Sequence, residues 1–260
     1  MGKITDALKK AAQERLSHIE RKVSSLAKEF VVQRIGDSKI DPHVVAYFDP
    51  KSPISEQYKI LRTNIQSLKT TNKSKVFVIS SAIHNEGKTI TSLNLSIALA
   101  NDVNNKRVLL VDADMRKGKV AKYLNIQPEA GLSDFLTNGT AFESCVFNFG
   151  VENLDVIASG KAPLNPAELL GSYKMKELLS TIRAKYDYII LDTPPVIPLT
   201  DPQVLGAQAD GVFLVVQAGR TQRGIIHHAE SLLLQAEAKV LGFILTGIRY
   251  HIPEYIYRYL

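Results

Sequence analysis

The sequence has few of the residues and patterns that mark several large classes of protein. Its single cysteine, Cys145, excludes an intramolecular disulfide framework and any zinc or iron–sulfur site built on a CxxC motif within one chain. No apolar stretch approaches the roughly 20 residues that a bilayer-spanning helix requires. No base-reading motif accompanies the basic residues, so nucleic-acid binding is not predicted. The low cysteine content favours a reducing, cytoplasmic setting.

The N-terminus, the net charge and the chain length add further expectations. The segment "MGKITDALKK" carries charges where a signal peptide has its apolar core, so no export is expected. Asp6 also departs from the myristoylation pattern. The net charge of +6 is compatible with a membrane surface or an acidic partner. With 260 residues and 45% hydrophobic content, the chain can form one large domain, alone or with an appendage.

Two N-terminal segments are predicted to precede the main domain. Apolar residues at helical spacing over residues 3–33 predict an amphipathic helix, which occupies the region 1–35. The segment 36–54 contains Pro42, Pro50 and Pro53 and is predicted to be a linker. The helix packs either on its own domain or against a partner or a membrane face, and the pattern leaves both interpretations open.

From Ser55 onwards, short apolar runs alternate with helical segments. The predicted strands lie in "KVFVIS", "RVLLVDAD", "NLDVIAS", "YDYIILDTPP", "GVFLVVQAG" and "KVLGFILTG". Such alternation predicts a doubly wound, mostly parallel α/β sheet with helices on both faces. The main domain is therefore predicted over residues 55–249, followed by a tail over 250–260. Ligands of such folds bind outside the carboxyl ends of the strands.

The segment after the first predicted strand matches most of the P-loop pattern G-x-x-x-x-G-K-[ST]. Gly87, Lys88 and Thr89 match, and Ala82 stands at the first glycine position. In such a loop the backbone N–H groups point at phosphates, the lysine bridges the β- and γ-phosphates, and the hydroxyl holds Mg²⁺. The predicted ATP-binding residues are Ala82, His84, Asn85, Glu86, Gly87, Lys88, Thr89 and Ile90.

Three aspartates end predicted apolar strands. Asp112 and Asp114 close "RVLLVDAD", and residues two apart in a strand face the same side. Asp192 ends "YDYIILD" and has the position of a Walker B carboxylate, which reaches Mg²⁺. Any one of them could be a strand-end cap or an ion-pair partner. Together with Gly-Lys-Thr they predict a nucleotide and magnesium site.

This combination of motifs resembles the bacterial tyrosine kinases (BY-kinases), autokinases of capsule and exopolysaccharide synthesis whose catalytic domain belongs to the deviant Walker P-loop ATPases. The resemblance also covers "DPKSPISEQYKILRTNI", "GLSDFL", "NPAELLGS", "TDPQVL", "ADGVFLVV" and the tyrosine-rich tail. It implies ATP and Mg²⁺ as ligands and Lys88 as a catalytic cation. It further implies that Asp112 activates the incoming tyrosine hydroxyl, and that Asp114 and Asp192 manage Mg²⁺ together with Thr89.

The resemblance also implies partners. Family members assemble into rings through an E-x-x-R-x-x-R pattern, which is represented here by Glu56, Lys59 and Arg62. Lys59 keeps the charge of arginine but lacks its bidentate fork. Family members without their own membrane spans work with a transmembrane polysaccharide chain-length regulator that activates them, and a tyrosine phosphatase reverses the modification. The expected location is cytoplasmic, peripheral to the inner face of the plasma membrane.

The chain departs from the family pattern at three further positions. His84 and Asn85 stand where the family loop has proline and glycine, although asparagine adopts a positive φ more readily than most residues. Thr246 stands where related ATPases have an adenine-contacting asparagine. Base recognition is therefore predicted to be looser or to come from elsewhere in the chain.

The tail "YHIPEYIYRYL" contains four of the ten tyrosines of the chain. Pro253 interrupts it, and the alternating tyrosines suit an extended segment more than a helix. The predicted phosphoacceptors are Tyr250, Tyr255, Tyr257 and Tyr259. Two alternatives stay open. For the tail, the alternative is an aromatic edge strand or an interfacial belt. For the whole protein, the alternative is an ATPase switch without kinase activity. Such switches carry a signature lysine near the position of Ile83, where this chain has none.

Overall fold

The computed structural model of the protein describes residues 40–68 and 74–248. The predicted helix over 3–33 and the tyrosine tail lie outside the described residues, so both stay predictions. No helix in the described ranges is long and apolar enough to cross a membrane.

The centre of the fold is a seven-stranded sheet. Its strands are β1 (Lys75–Ser81), β2 (Val108–Asp112), β3 (Val146–Phe147), β4 (Leu154–Ile157), β5 (Tyr188–Asp192), β6 (Gly211–Gln217) and β7 (Val240–Thr246). They lie in the order β3-β4-β2-β5-β1-β6-β7. All neighbours pair in parallel except β3 and β4, which are antiparallel. The predicted doubly wound, mostly parallel α/β fold is confirmed.

Helices connect and cover the strands. They are α1 (Val45–Phe48), α2 (Pro53–Ser67), α3 (Lys88–Ala100), α4 (Val120–Leu124), α5 (Leu132–Asn138), α6 (Phe142–Cys145), α7 (Pro166–Leu170), α8 (Tyr173–Lys185), α9 (Asp201–Gly206) and α10 (Arg223–Gln235). Helix α3 contacts β1, β2 and β5, and α2 packs on α3.

Along the central strands, successive side chains point to opposite faces of the sheet. Val76 and Val78 belong to an apolar cluster with residues of α8 and α10, such as Ile182 and Leu233. Phe77 points the other way, because side chains alternate along a strand. All residues of β2 and β5 are buried, and their apolar side chains form the near-continuous runs that a sheet covered on both faces requires.

The end of the predicted linker packs against the domain. Val44 is fully buried, and the backbone N–H of Ala46 donates to Asn94 Oδ1 of α3 at 2.8 Å. Asn94 Nδ2 in turn donates to the carbonyl of His43 at 3.0 Å. The described part of the segment 36–54 is therefore ordered against α3 from His43 onwards, which proline content alone did not indicate.

Helix α2 begins at Pro53, two residues before Ser55, where the main domain was predicted to start. The Ser52 hydroxyl accepts from the Ser55 backbone N–H at 3.1 Å, and Pro53 occupies the first helical position. Both features favour a helix start, because the serine satisfies a free N–H group and proline has none to satisfy.

The strand order places the ends of β2, β5 and β1 side by side. Asp112 and Asp192 are direct neighbours in the register of β2 and β5, so their side chains lie on the same face. The loop that follows β1 begins next to them. Three motifs that are far apart in the sequence therefore meet at the carboxyl ends of the central strands.

Candidate active site

The P-loop turns sharply between β1 and α3. Asn85 and Gly87 both adopt left-handed conformations, with φ of 63° and 90°. Glycine and asparagine are the residues that reach this region most readily. The turn ends directly at Lys88, the first residue of the 13-residue helix α3. The first backbone N–H groups of α3 therefore face the site, as phosphate binding requires.

A cavity of about 190 Å³ lies over this turn. Its walls include Asn85 to Ile90 from the loop, with Lys119 and Tyr123 from the region of α4. The predicted residues Ala82 and His84 are absent from these walls. Ala82 is buried at the end of β1, where its carbonyl accepts from the Ile197 backbone N–H at 3.3 Å.

Glu86 fastens the loop to the neighbouring strands. Its side chain is buried, and its carboxylate accepts from the backbone N–H groups of Ile83 at 2.9 Å and Gln217 at 3.2 Å, and from the Thr221 hydroxyl. The Thr246 hydroxyl donates to the Glu86 carbonyl at 2.8 Å. The sequence predicted Glu86 only as one of the ATP-binding residues. Gln217, Thr221 and Thr246 hold the loop from positions more than a hundred residues away.

Replacing Glu86 by glutamine is expected to destabilise the protein by about 1–3 kcal/mol, because one accepting oxygen becomes an NH₂ group facing donors. The affinity for ATP should fall about tenfold as the loop loses its tether, since tenfold corresponds to about 1.4 kcal/mol. Thermal unfolding and nucleotide titration measure both effects.

Glu143→Gln is the matched control, because the Glu143 side chain is 75% exposed and pairs with Lys185 on the surface. Exposed pairs of this kind contribute about 0–1 kcal/mol. Equal losses in the two variants would contradict the bracing role of Glu86.

Lys88 lies between the loop and the carboxylates. Its Nζ is 3.9 Å from Asp114 Oδ2, and both side chains are largely buried. The backbone N–H of Lys117 donates to Asp114 Oδ1 at 2.9 Å. Asp114 thereby holds Lys88 beside the cavity, where the ammonium can meet a phosphate oxygen.

Asp112 is fully buried and already accepts two hydrogen bonds. Asp114 N–H donates to Oδ1 at 3.2 Å, and Val120 N–H donates to Oδ2 at 3.0 Å. A Cβ added to Gly118 would lie 2.8 Å from Oδ2, so the loop after β2 closes directly over this carboxylate. Burial, together with the charge of Asp192, raises the pKa of Asp112 well above its usual range. The role of Asp112 in activating the acceptor stays a prediction.

Asp192 carries the feature that best fits a cation. Its Oδ1 accepts from the Ser92 hydroxyl at 3.0 Å, while the buried Oδ2 has no hydrogen-bond partner among the described residues. Burial raises the pKa of Asp192 to about 6, against the opposing charge of Lys88. An unpaired buried carboxylate oxygen is costly and is the donor type that Mg²⁺ prefers.

The donor set fits Mg²⁺ bound together with phosphates. Thr89 is buried in the first turn of α3, close to Asp192. In the described part of the chain, no cluster of three or more His, Cys, Asp or Glu side chains could hold a metal ion by itself. Mg²⁺ commonly takes only one or two protein carboxylates and completes its shell with phosphate oxygens and water.

The three residues predicted for ring assembly differ in their surroundings. Glu56 and Lys59 form an exposed pair along α2 at 2.7 Å. Arg62 instead donates from Nη1 to the Ala98 carbonyl at 2.9 Å and lies 3.6 Å from Asp102. Within one chain, Arg62 thus connects α2 to the end of α3. A role of the three residues in ring assembly stays a prediction.

Comparisons with known proteins agree on one family. A family model described as an AAA domain matches residues 74–234. The chain is 40% identical over 210 residues to the tyrosine-protein kinase YwqD of Bacillus subtilis, covering 81% of this chain and 88% of that protein.

Two solved structures superpose closely. The kinase domain of the Escherichia coli tyrosine kinase ETK is 28% identical with a TM-score of 0.79, covering 86% of this chain and 87% of that one. The chimerical protein CapA2B2 is 30% identical with a TM-score of 0.75, covering 81% of this chain and 93% of the other. Together with the loop and the carboxylates described above, these likenesses show that the chain belongs to the bacterial tyrosine-kinase family of P-loop nucleotide-binding proteins.

Proposed function

We propose that the protein is an ATP-dependent tyrosine autokinase that phosphorylates the tail of a neighbouring copy within a ring. The observation that carries this proposal is the meeting of Lys88, Thr89, Asp114 and Asp192 at one sheet edge, in a chain whose tail carries four tyrosines. The P-loop supplies the phosphate site and the tail supplies the acceptor.

The proposed transfer depends on positioning and charge neutralisation. Lys88 would contact the β- and γ-phosphates, and the helix N-terminus would hold the phosphate oxygens. Asp112 would take the phenolic proton, which its raised pKa favours. Mg²⁺, held by Thr89 and Asp192 with Asp114 nearby, would neutralise charge on the phosphate oxygens.

We also propose that charged groups control both the assembly of the ring and its opening. Glu56, Lys59 and Arg62 on α2 would contribute to the ring interface. Each phosphotyrosine adds about −1.5 to −2 charges, so a phosphorylated tail would be repelled from the carboxylates of the neighbouring site. Phosphorylation would then open the ring, and a tyrosine phosphatase would reset it.

The biological setting is proposed from the family. The protein would regulate synthesis and export of a capsular or extracellular polysaccharide at the inner face of the plasma membrane. It would be recruited and activated by a transmembrane chain-length regulator. The N-terminal region 1–35 is the candidate contact for that partner.

Phosphorylation in trans is tested by mixing two inactive proteins. Lys88→Met keeps the tail but loses the catalytic lysine, whereas a chain ending at Arg249 keeps the site but loses the acceptors. With Mg-ATP the mixture should produce phosphotyrosine on the Lys88→Met chain, mapped by mass spectrometry, and neither protein alone should do so.

The wild-type protein in the same assay separates the two candidate functions. ATP hydrolysis without any phosphotyrosine would favour the ATPase-switch interpretation. Ring opening would be contradicted if the phosphorylated and the dephosphorylated protein had the same oligomeric mass in solution.

A further inference from the structure

Strand β7 forms one edge of the described sheet, and part of its apolar surface is uncovered. Within the described residues it pairs with β6 alone. Phe243 and Leu245 are 45% and 57% exposed, whereas the other six strands of the described sheet have no exposed side chain. β7 has seven residues without a charged side chain, whereas the opposite edge strand, β3, has only two residues. A long, apolar and uncharged edge is a template for another strand, so β7 calls for a partner and β3 does not.

The two exposed side chains of β7 point to the face of the sheet that α10 covers. In the parallel register, Phe243 and Leu245 are the partners of Leu214 and Val216 of β6. Leu214 is fully buried in the apolar cluster that includes Leu233 of α10. Register partners point to the same side of a sheet. The cover of this face therefore ends between β6 and β7, which leaves an apolar strip along the free edge.

The chain bends directly after β7. Gly247 has a left-handed conformation with a φ of 65°, of the kind that hairpin turns use. A segment that returns from such a turn runs antiparallel beside the strand that it has left. The segment that follows β7 is therefore the nearest candidate for its free edge, and the entropic cost of closing a short connection is low.

The tail segment 254–260 suits this edge in length and composition. It has as many residues as β7, so it suffices to pair along the whole strand. It follows Pro253, which has no backbone N–H and is tolerated at the start of an edge strand.

The alternation of the tail decides which of its faces meets the apolar strip. In an extended segment, its three tyrosines share one face, whereas Glu254 and Arg258 lie on the other. Burying either charge against an apolar surface costs free energy, whereas aromatic and aliphatic side chains on neighbouring strands stabilise the pair. The tyrosine face therefore matches Phe243 and Leu245.

We propose that the tail of each chain docks on its own β7 as an added antiparallel strand, with its tyrosine face against Phe243 and Leu245. A segment of the same chain has an advantage over a second copy, because a short connection gives it a high effective concentration. The docked tail withholds its tyrosines from a neighbouring copy. The docking stands apart from the kinase function, whereas this regulatory consequence rests on it.

The docked position accepts only the unmodified tail. A phosphotyrosine carries about −1.5 to −2 charges, and the strip formed by Phe243 and Leu245 offers no charged side chain to pair with them. A phosphorylated tail therefore stays off the edge of β7.

The docking is tested by hydrogen exchange on the full-length protein, treated with a tyrosine phosphatase and free of nucleotide. The outward backbone N–H groups of β7 should exchange about tenfold more slowly than in a chain ending at Arg249. Leu245→Lys should abolish this protection, because it places a charge in the strip at a position that is already exposed. The matched control is Val103→Lys, which changes an apolar residue that is 93% exposed outside the sheet, and it should keep the protection. Equal exchange of β7 in the full-length and the shortened chain overturns the proposal.

The face of the tail is tested with two neighbouring substitutions. Tyr257→Lys places a charge on the tyrosine face and should abolish the protection of β7, whereas Ile256→Lys places the same charge on the other face and should retain it. The reverse result overturns the assignment of the tyrosines to the docked face.

The identity of the docked segment is tested by dilution. A contact within one chain gives the same protection of β7 at every protein concentration. Protection that is lost on dilution assigns the edge to a second copy and overturns the proposal.

The regulatory consequence is tested in the mixing assay, with the chain ending at Arg249 as catalyst. An acceptor that carries Lys88→Met and Leu245→Lys should be phosphorylated several-fold faster than Lys88→Met alone, because its tail is no longer docked. Equal rates contradict the withholding of the tyrosines. Absence of phosphotyrosine on both acceptors contradicts the kinase function, whereas the exchange measurements need no ATP and decide the docking by themselves.

Discussion

Lys88→Met is expected to lower the rate of autophosphorylation by about 10²–10³-fold while leaving the fold intact. In the proposed mechanism, the ammonium is the charge that the P-loop offers to the transferred phosphoryl group. Its loss also leaves Asp114 without its partner at 3.9 Å and removes the charge that opposes the raised pKa of Asp192. Quantitative phosphotyrosine mass spectrometry at saturating Mg-ATP measures the rate.

The matched control for this variant is Lys106→Met. Lys106 also pairs with an aspartate, since its Nζ is 3.0 Å from Asp187. This pair lies at the amino ends of β2 and β5, away from the candidate site at their carboxyl ends. It should keep near-normal activity. Retention of more than about a tenth of the rate in Lys88→Met would contradict the predicted role, because removal of a comparable transition-state contact costs at least about 10²-fold.

Asp192→Asn is expected to have opposite effects on activity and stability. Activity should fall by about 10²–10³-fold, because the variant loses the proposed ligand for Mg²⁺ and a charge at the proposed position of the reacting phosphate. The protein without ligand should gain on the order of 1–3 kcal/mol of unfolding free energy, since a buried carboxylate beside two others is replaced by a neutral amide.

The sign of the pH dependence gives an internal check. Burial raises the pKa of Asp192 to about 6 in the folded protein, whereas an unfolded aspartate titrates near 3.9. The folded state therefore binds more protons between these values, so this group costs stability as the pH rises from about 4 to above 6. Thermal unfolding between pH 5 and 7.5 should show the advantage of Asp192→Asn growing with pH. A difference that is constant with pH, or that shrinks as the pH rises, would contradict the assignment.

Much of the fold was predictable because parallel strands covered on both faces must be apolar along their whole length. The runs around Val76, Leu110, Ile190 and Val215 satisfy that demand, and each of them is a strand. The two-residue strand β3 was missed, because Val146 and Phe147 are too short a run to show a period. Helix α1 was read as linker, because its order comes from Asn94, almost fifty residues away.

The sequence also predicts several residues of the candidate site. Gly87, Lys88 and Thr89 are readable because the loop, its turn and the start of the helix are contiguous in the chain. Asp112, Asp114 and Asp192 are readable because each ends an apolar run, and parallel strands bring such ends to one edge.

By itself, then, the sequence determined six of the seven strands of the sheet, the phosphate loop, the carboxylates at the carboxyl ends of the strands and the family to which they point. Only the tertiary structure decided that Glu86 braces the loop, that Asp112 is covered, and that Asp192 has an oxygen without a hydrogen-bond partner among the described residues. The physical reason is range. Periodicity and turn chemistry act between residues a few positions apart, whereas the bracing of Glu86 and the surroundings of Asp112 and Asp192 depend on neighbouring strands that meet only when the sheet has formed.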